Sequence, residues 1–232
     1  MGRARRVDVG GEIYHVLNRA NFRSRLFRSA IHYQDFLGIV EECLTFVPMR
    51  ILAYCLMPNH WHLVLYPRAD GHLAKFVQRL TLTHTQRYHA KTGTVGSGHV
   101  YQGRYKSLLV ESNQHFLTLV RYVERNAQRA GLVKKAEEWP WSSVYVRREG
   151  TEKQKQLLSP WPTPEPSGYL KWLNQSQGKE EVEKIRDPEG QAVWIGEMGV
   201  NNGSAIRTGN HHTPPRTPKE RFLTPFCSPT IR

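Results

Sequence analysis

Two histidines separated by one residue form the segment of the sequence best suited to chemistry. His60 and His62 stand in the run MPNHWHLVL, which begins at Met57. In a strand, side chains two residues apart point to the same face, so the two imidazoles share one face and Trp61 lies on the other. Imidazoles about 7 Å apart along a strand can converge on one divalent cation. Because a lone His-x-His pattern often occurs without a metal, a third ligand and a chemical partner are needed to favour a metal site.

A second group of candidates lies in a predicted helix over residues 113–130. One face of this helix is apolar, with Phe116, Leu119, Val120, Val123, Ala127 and Ala130. Another face carries Tyr122, Arg125, Asn126 and Arg129, and Tyr122 and Asn126 are one turn apart. A phenol among arginines suits nucleophilic attack on a phosphodiester, because cations stabilise the charge of the transferring phosphate. The alternative is a tyrosine at the edge of the core.

The flanking elements predict a sheet that positions both groups. Strands are predicted over 12–18, 50–57, 60–66 and 105–111. Helices are predicted over 31–47, 72–90 and 113–130. Ser112 is a candidate cap for the third helix, and Gly131 ends it. Short antiparallel strands with helices laid on one face predict an α+β fold.

The chain changes character after about residue 145. Prolines at 160, 162, 164 and 166 exclude regular structure over 159–168, and a charged, partly helical segment is predicted over 169–186. From residue 201 the chain is polar and rich in Gly and Pro, which predicts disorder.

The charge of the chain favours a polyanionic partner. Its 232 residues hold 33 Lys+Arg and 20 Asp+Glu, a net charge of +13. Residues 60–135 contain only three acids, Asp70, Glu111 and Glu124, beside 12 Lys/Arg, as expected of a phosphate-binding face. No run resembles a membrane span or a signal core, and three scattered cysteines exclude a disulfide scaffold. We therefore expect a cytoplasmic protein that binds nucleic acid and no membrane.

Three motifs together resemble the single-tyrosine HUH transposases, and among them the REP-associated tyrosine transposases of bacteria. They are PNHWH from Pro58, VYQGRYKS from Val100 and RYVERN from Arg121, followed by Ala130-Gly131 and by WPWSS from Trp139. The resemblance covers about residues 10–146. It implies a ferredoxin-like antiparallel sheet with helices packed on it. The domain prediction is a catalytic domain over 1–147, a partly helical extension over 148–200 and a disordered tail over 201–232.

The resemblance also implies a reaction. His60, His62 and Asn126 would hold Mg²⁺ or Mn²⁺, and Tyr122 would attack single-stranded DNA beside a hairpin, giving a 5′-phosphotyrosine link and a free 3′-hydroxyl. No nucleotide cofactor is then needed. The predicted DNA contacts are Arg3, Arg5, Arg6, Arg79, Arg87, Arg104, Lys106, Arg125 and Arg129. We expect a nucleoid-associated monomer or homodimer.

One residue departs from the family pattern, and three alternatives stay open. Ala127 stands where the family often has proline, and we expect the helix to continue more smoothly there. A hairpin-binding regulator or a domesticated housekeeping nuclease would need the same site. A zinc hydrolase would need further ligands near the pair. His72 and His84 are available, but their positions around a helix differ by about 120°, so convergence on one ion is not expected. A transposase or nuclease built on an acidic triad is disfavoured by the shortage of acids.

Overall fold

Four strands form one antiparallel sheet in the order β2-β3-β1-β4. A computed structural model of the chain describes residues 8–110 and 112–178. The strands are Ile13–Arg19 (β1), Met49–Met57 (β2), His60–Pro67 (β3) and Lys106–Val110 (β4). The helices are Ala30–Phe46 (α1), His72–Thr92 (α2), Asn113–Glu124 (α3), Asn126–Arg129 (α4), Ser143–Glu149 (α5), Glu152–Lys155 (α6) and Tyr169–Asn174 (α7). The connection β1-α1-β2-β3-α2-β4 and this strand order confirm the predicted ferredoxin-like α+β fold.

Helices cover both faces of the sheet, so the prediction that they lie on one face is wrong. Trp61 and its same-face neighbours in β3 pack in a core with Phe36 of α1 and Phe76 of α2. Val64 belongs to a second core with Phe116 of α3. The strands are apolar in both alternating sets of residues, and such strands are buried on both faces.

The predicted helix over 113–130 is interrupted at Arg125. The side chain of Ser112 caps α3 by accepting from the His115 N–H, as predicted. Arg125 has a ψ of −2°, and α4 follows as a single turn before Gly131, whose φ is 70°. The Asn126 side chain donates to the carbonyls of Tyr122 and Val123, at 3.2 and 3.1 Å. Because this amide competes for helical acceptors, the helix breaks even without a proline, contrary to the expected smooth continuation.

The segment after α4 covers the free edge of β2. Trp139 donates its indole N–H to the Leu56 carbonyl, and the Leu56 N–H donates to the Trp141 carbonyl. Further along, Leu157 and Leu173 are buried in the two cores. The segment after α4 therefore protects an edge strand that would otherwise expose unpaired backbone groups.

Some predictions fall on residues outside the described ranges. Arg3, Arg5 and Arg6, the end of the segment 169–186 and the proposed tail 201–232 are among them. The proline-rich segment 159–168 contains no helix or strand, as predicted, and α7 begins directly after it. No helix within the described ranges is both long and apolar enough to cross a membrane.

Candidate active site

The two histidines of β3 point to the sheet face that α3 covers. His62 is buried and His60 is half-buried, and their ring centroids are 5.0 Å apart at an interplanar angle of 78°. Trp61 is fully buried on the opposite face, where it donates to the Tyr101 hydroxyl. The strand alternation predicted for His60, Trp61 and His62 is thus present.

Hydrogen bonds engage the Nδ1 atom of each ring. His60 Nδ1 lies 2.6 Å from Asn59 Oδ1, and His62 Nδ1 lies 2.9 Å from Nε2 of His15. A metal-binding histidine commonly uses one ring nitrogen as ligand and donates the other N–H to a neighbour. The hydrogen bonds therefore suit a pair that offers Nε2 to a divalent cation, and the residues present fit such a group.

His15 is a part of the site that the sequence reasoning missed. It lies in β1, fully buried, with its ring stacked on that of His62 at a centroid distance of 5.1 Å. Its Nδ1 atom is buried and has no hydrogen-bond partner among the described residues. A lone histidine in a mainly apolar strand could have marked His15 as a candidate site residue. The local sequence does not show, however, that β1 pairs with β3.

Burial keeps all three imidazoles neutral at physiological pH. Burial lowers the pKa of His15 to about 3 and that of His60 to about 3. The pKa of His62 is also well below its ordinary value, because of burial first and then of the neighbouring His60 and His15. The charge of Arg129 lowers the pKa of all three. Neutral imidazole is the form that binds a metal ion.

Tyr122 lies against this histidine group. Its side chain is 1% exposed, and its ring meets the rings of His15 and His62 edge-on, each at a centroid distance of 6.1 Å. The guanidinium carbon of Arg129 lies 4.2 Å from the centre of the Tyr122 ring. Tyr122 is thus both a buried tyrosine, as one interpretation expected, and a neighbour of the histidine pair, as the other required.

Asn126 is joined to Tyr122 through Arg129. Its Oδ1 accepts from Arg129 Nη2 at 2.6 Å, while its Nδ2 donates to the helix carbonyls already described. A carbonyl oxygen has a second lone pair, so Oδ1 keeps the capacity to coordinate a cation. Its role as third ligand remains a prediction.

The predicted DNA-contacting residues are distributed over both faces of the sheet. Lys106 pairs in register with Leu17, which also pairs with His62, so Lys106 shares the face of the histidines. Arg125 donates to the Gln128 side chain, and Arg104 is exposed before β4. Arg79 and Arg87 lie on α2, on the other face, where both form ion pairs with Glu42. The structure therefore brings Lys106 and Arg129 to the site, but not Arg79 or Arg87.

Arg19 is a second residue that the sequence reasoning missed. It pairs in register with His60 across β1 and β3, and its charge contributes to the lowered pKa of His60. Arg19, Lys106 and Arg129 surround the histidine pair with positive charge, which suits a phosphate.

The ligands required by a zinc hydrolase are not assembled in the described ranges. No group of three or more His, Cys, Asp and Glu side chains there is arranged to hold a metal ion. His84 packs on the opposite face against Phe36 and Tyr101, and His72 bonds the Pro48 carbonyl. Neither candidate ligand joins His60 and His62.

Comparison with known families adds an independent finding. The family model described as transposase IS200 like matches residues 9–126, which is more than half of the 232 residues. The chain belongs to the IS200-like transposase family. The match spans all four strands and ends at Asn126, so it includes His15, the histidine pair and Tyr122.

Comparison with solved structures found further similarities. A REP-associated tyrosine transposase bound to a REP hairpin matches with a TM-score of 0.54 and 21% identity, over 65% of this chain and 88% of that one. A putative transposase from Deinococcus radiodurans has a TM-score of 0.38 and 18% identity, over 54% of this chain and 95% of that one. The first likeness supports the fold. A search of curated protein sequences found no match.

Proposed function

We propose that this transposase is a metal-dependent endonuclease and strand transferase for single-stranded DNA, with Tyr122 as the nucleophile. The main support for this proposal is one observation. The fold brings Tyr122 of α3 to within 6.1 Å, between ring centroids, of His62 in β3, although the two are 60 positions apart in sequence. The REP hairpin bound by the structural relative supports DNA with a hairpin as the substrate class.

The proposed reaction is the one that the resemblance to single-tyrosine HUH transposases implies. The Tyr122 oxygen forms a bond to phosphorus and loses its proton, while the bond from phosphorus to the 3′ oxygen breaks. The leaving oxygen takes up a proton and becomes a 3′-hydroxyl, and the 5′ phosphate stays on Tyr122. Because the link to Tyr122 is itself a phosphodiester, a second 3′-hydroxyl can reverse the step without a nucleotide cofactor.

A divalent cation and the nearby arginines would share the charge of the phosphate. His60 and His62, with Asn126 as the proposed third ligand, would hold Mg²⁺ or Mn²⁺, which polarises the phosphoryl oxygen when bound. Arg129 lies over the Tyr122 ring and bonds Asn126 in the described structure. A phosphate is a stronger partner for a guanidinium than an amide oxygen is, so bound DNA would draw Arg129 away and free both groups.

Replacing both histidines should affect DNA cleavage much more than DNA binding. We expect the double variant His60→Ala and His62→Ala to lose cleavage by roughly 1,000-fold, because loss of a Lewis acid removes several kcal/mol of transition-state stabilisation. Its affinity for a single-stranded hairpin oligonucleotide should stay within about threefold of wild type, since phosphate contacts dominate binding. Cleavage is measured on gels and affinity by fluorescence anisotropy.

His72→Ala is the matched control for that variant. His72 lies at the N-terminus of α2, where it bonds the Pro48 carbonyl, so its replacement should leave cleavage unchanged. Full cleavage by the double variant would show that the histidine pair holds no catalytic metal.

A further inference from the structure

The short turn after β1 holds a phenylalanine out in solvent. Phe22 lies in the 3-10 turn Asn21–Arg23 and is 93% exposed. Phe22 and Arg23 both adopt left-handed backbone conformations, with φ angles of 50° and 54°. A bulky residue rarely adopts this conformation, and such outliers cluster at ligand-binding positions.

Backbone hydrogen bonds fix this turn beside the histidine pair. The Asn21 N–H donates to the Val100 carbonyl at 2.8 Å, and the Ala20 N–H donates to the Asn59 carbonyl at 2.9 Å. Asn59 is also the residue whose side chain bonds His60. After the turn, the Leu26 N–H donates to the Pro58 carbonyl at 2.8 Å. Because the backbone is held before and after Phe22, the exposed ring is a defined feature of the site's border.

The stretch of sequence that contains Phe22 is positively charged. Residues 13–34 contain four arginines, Arg19, Arg23, Arg25 and Arg28, and no Asp or Glu. No ion pair with a carboxylate engages Arg23, Arg25 or Arg28 in the part of the chain that the structure describes. An exposed aromatic ring among such cations has the character of a single-strand binding surface, in which bases stack on rings and phosphates bind cations.

We propose that Phe22 is a stacking platform for one unpaired base of the single DNA strand at the active site, with Arg23 and its neighbouring arginines on the flanking phosphates. The inference rests on the proposed function and adds a base-binding position next to His60. Charge complementarity favours DNA over an apolar protein surface, since a protein partner would have to supply several acids to match these arginines.

Binding measurements on the full chain test this position without requiring cleavage. Anisotropy is recorded without metal for a single-stranded hairpin oligonucleotide with unpaired flanks. We expect Phe22→Ala to weaken binding by about 5-fold to 150-fold, the range for loss of one base stacked on an aromatic ring, and Phe22→Trp to bind like wild type. The melting temperature should not fall in Phe22→Ala, because the ring is 93% exposed and buries little apolar surface.

Phe46→Ala is the matched control, since Phe46 is also exposed and has an arginine over its ring. That arginine, Arg79, is paired with Glu42, and Phe46 ends α1 at the opposite end of β2 from the Pro58-Asn59 turn. Its replacement should leave affinity unchanged.

Abasic sites placed one at a time along the unpaired flanks identify the stacked base. In wild type, one abasic position should cost affinity, and in Phe22→Ala that same position should cost nothing further. Phe22→Ala binding within about twofold of wild type would overturn the proposal while leaving Tyr122 chemistry untouched, and so would an abasic cost that persists in the variant. If wild type bound no single-stranded DNA, the proposed function itself would fail, and this proposal with it.

Discussion

The hydrogen bond between His15 and His62 decides which nitrogen of His62 can face a cation. Only one of His15 Nε2 and His62 Nδ1, which lie 2.9 Å apart, carries the proton between them. If His62 donates from Nδ1, its Nε2 lone pair is free for a metal, and the His15 proton sits on the buried Nδ1 that has no partner in the described residues. In the reverse arrangement, His62 Nε2 carries a proton and cannot bind a metal. We therefore expect His15 to act as a positioning residue for the proposed metal site.

Replacing His15 by phenylalanine tests this role. His15→Phe keeps a stacked ring beside His62 but removes the nitrogen that accepts from Nδ1. We expect affinity for Mn²⁺ to fall about 10-fold to 100-fold, as is typical when the hydrogen-bond partner of a metal-binding histidine is lost. Isothermal titration calorimetry with Mn²⁺ alone measures this without DNA or cleavage.

The calorimetry needs two controls. His72→Phe changes a histidine remote from the site and should bind Mn²⁺ like wild type, and thermal melting of each variant checks that the fold persists. Wild-type Mn²⁺ affinity in folded His15→Phe would contradict the positioning role.

A buried carboxylate anchors the tyrosine helix α3 to the segment after α4. Glu124, two residues after Tyr122, is fully buried and accepts from the Ser143 and Tyr169 hydroxyls, each at 2.6 Å. Arg121, on the same helix, lies over the Trp172 ring at 4.6 Å. The segment after α4 therefore helps to fix the position of α3, and with it Tyr122, relative to the sheet.

Removing the Tyr169 hydroxyl should destabilise the fold in a pH-dependent way. Burial raises the pKa of Glu124, whereas its hydrogen bonds to Ser143 and Tyr169 lower it. A group with a raised pKa stabilises the fold fully below its unfolded pKa and loses that contribution as the pH rises through the folded value. Tyr169→Phe raises this pKa further, so we expect a loss of about 1–3 kcal/mol in the free energy of unfolding, larger at high pH than at low pH.

Urea denaturation at an acidic and an alkaline pH measures the effect. Tyr145→Phe is the control, because the Tyr145 hydroxyl forms no hydrogen bond in the part of the chain described. A loss in Tyr169→Phe that is the same at both pH values would show that the hydroxyl does not support the ionised Glu124.

The sequence predicted the elements well and their mutual arrangement only through resemblance. The period-two alternation of β3 and the apolar spacing of α3 are local properties, so His60, His62 and Tyr122 could be assigned to faces directly. The break at Arg125 depends on where the Asn126 amide turns, and the role of His15 depends on β1 lying next to β3. Both are properties of tertiary structure that residue spacing does not contain, so the local sequence predicts neither the break nor the role of His15.

Over the whole molecule, the folded chain divides its positive charge between the two faces of the sheet. Bases of α2 are matched by acids of α1, with Arg79 and Arg87 on Glu42 and Lys91 on Asp35. On the other face, Arg129 and Lys106 lie among the histidines and Tyr122, where buried carboxylate is limited to Glu124 among the described residues. Among the described residues, bases of α2 are thus paired with acids on one face, and Arg129 and Lys106 lie beside the histidine pair on the other.

Detection of a covalent protein–DNA adduct is the most direct test of Tyr122 as the nucleophile. Wild type and Tyr122→Phe are incubated with Mg²⁺ or Mn²⁺ and labelled hairpin oligonucleotides whose single-stranded flanks are randomised, so that an unknown recognition sequence is represented. Denaturing gels detect the adduct, and mass spectrometry locates it, with Tyr88→Phe as a control on the opposite face. We predict an adduct on Tyr122 in wild type and in the control, and none in Tyr122→Phe. An adduct at wild-type level in Tyr122→Phe, or one located on another residue, would show that Tyr122 is not the nucleophile.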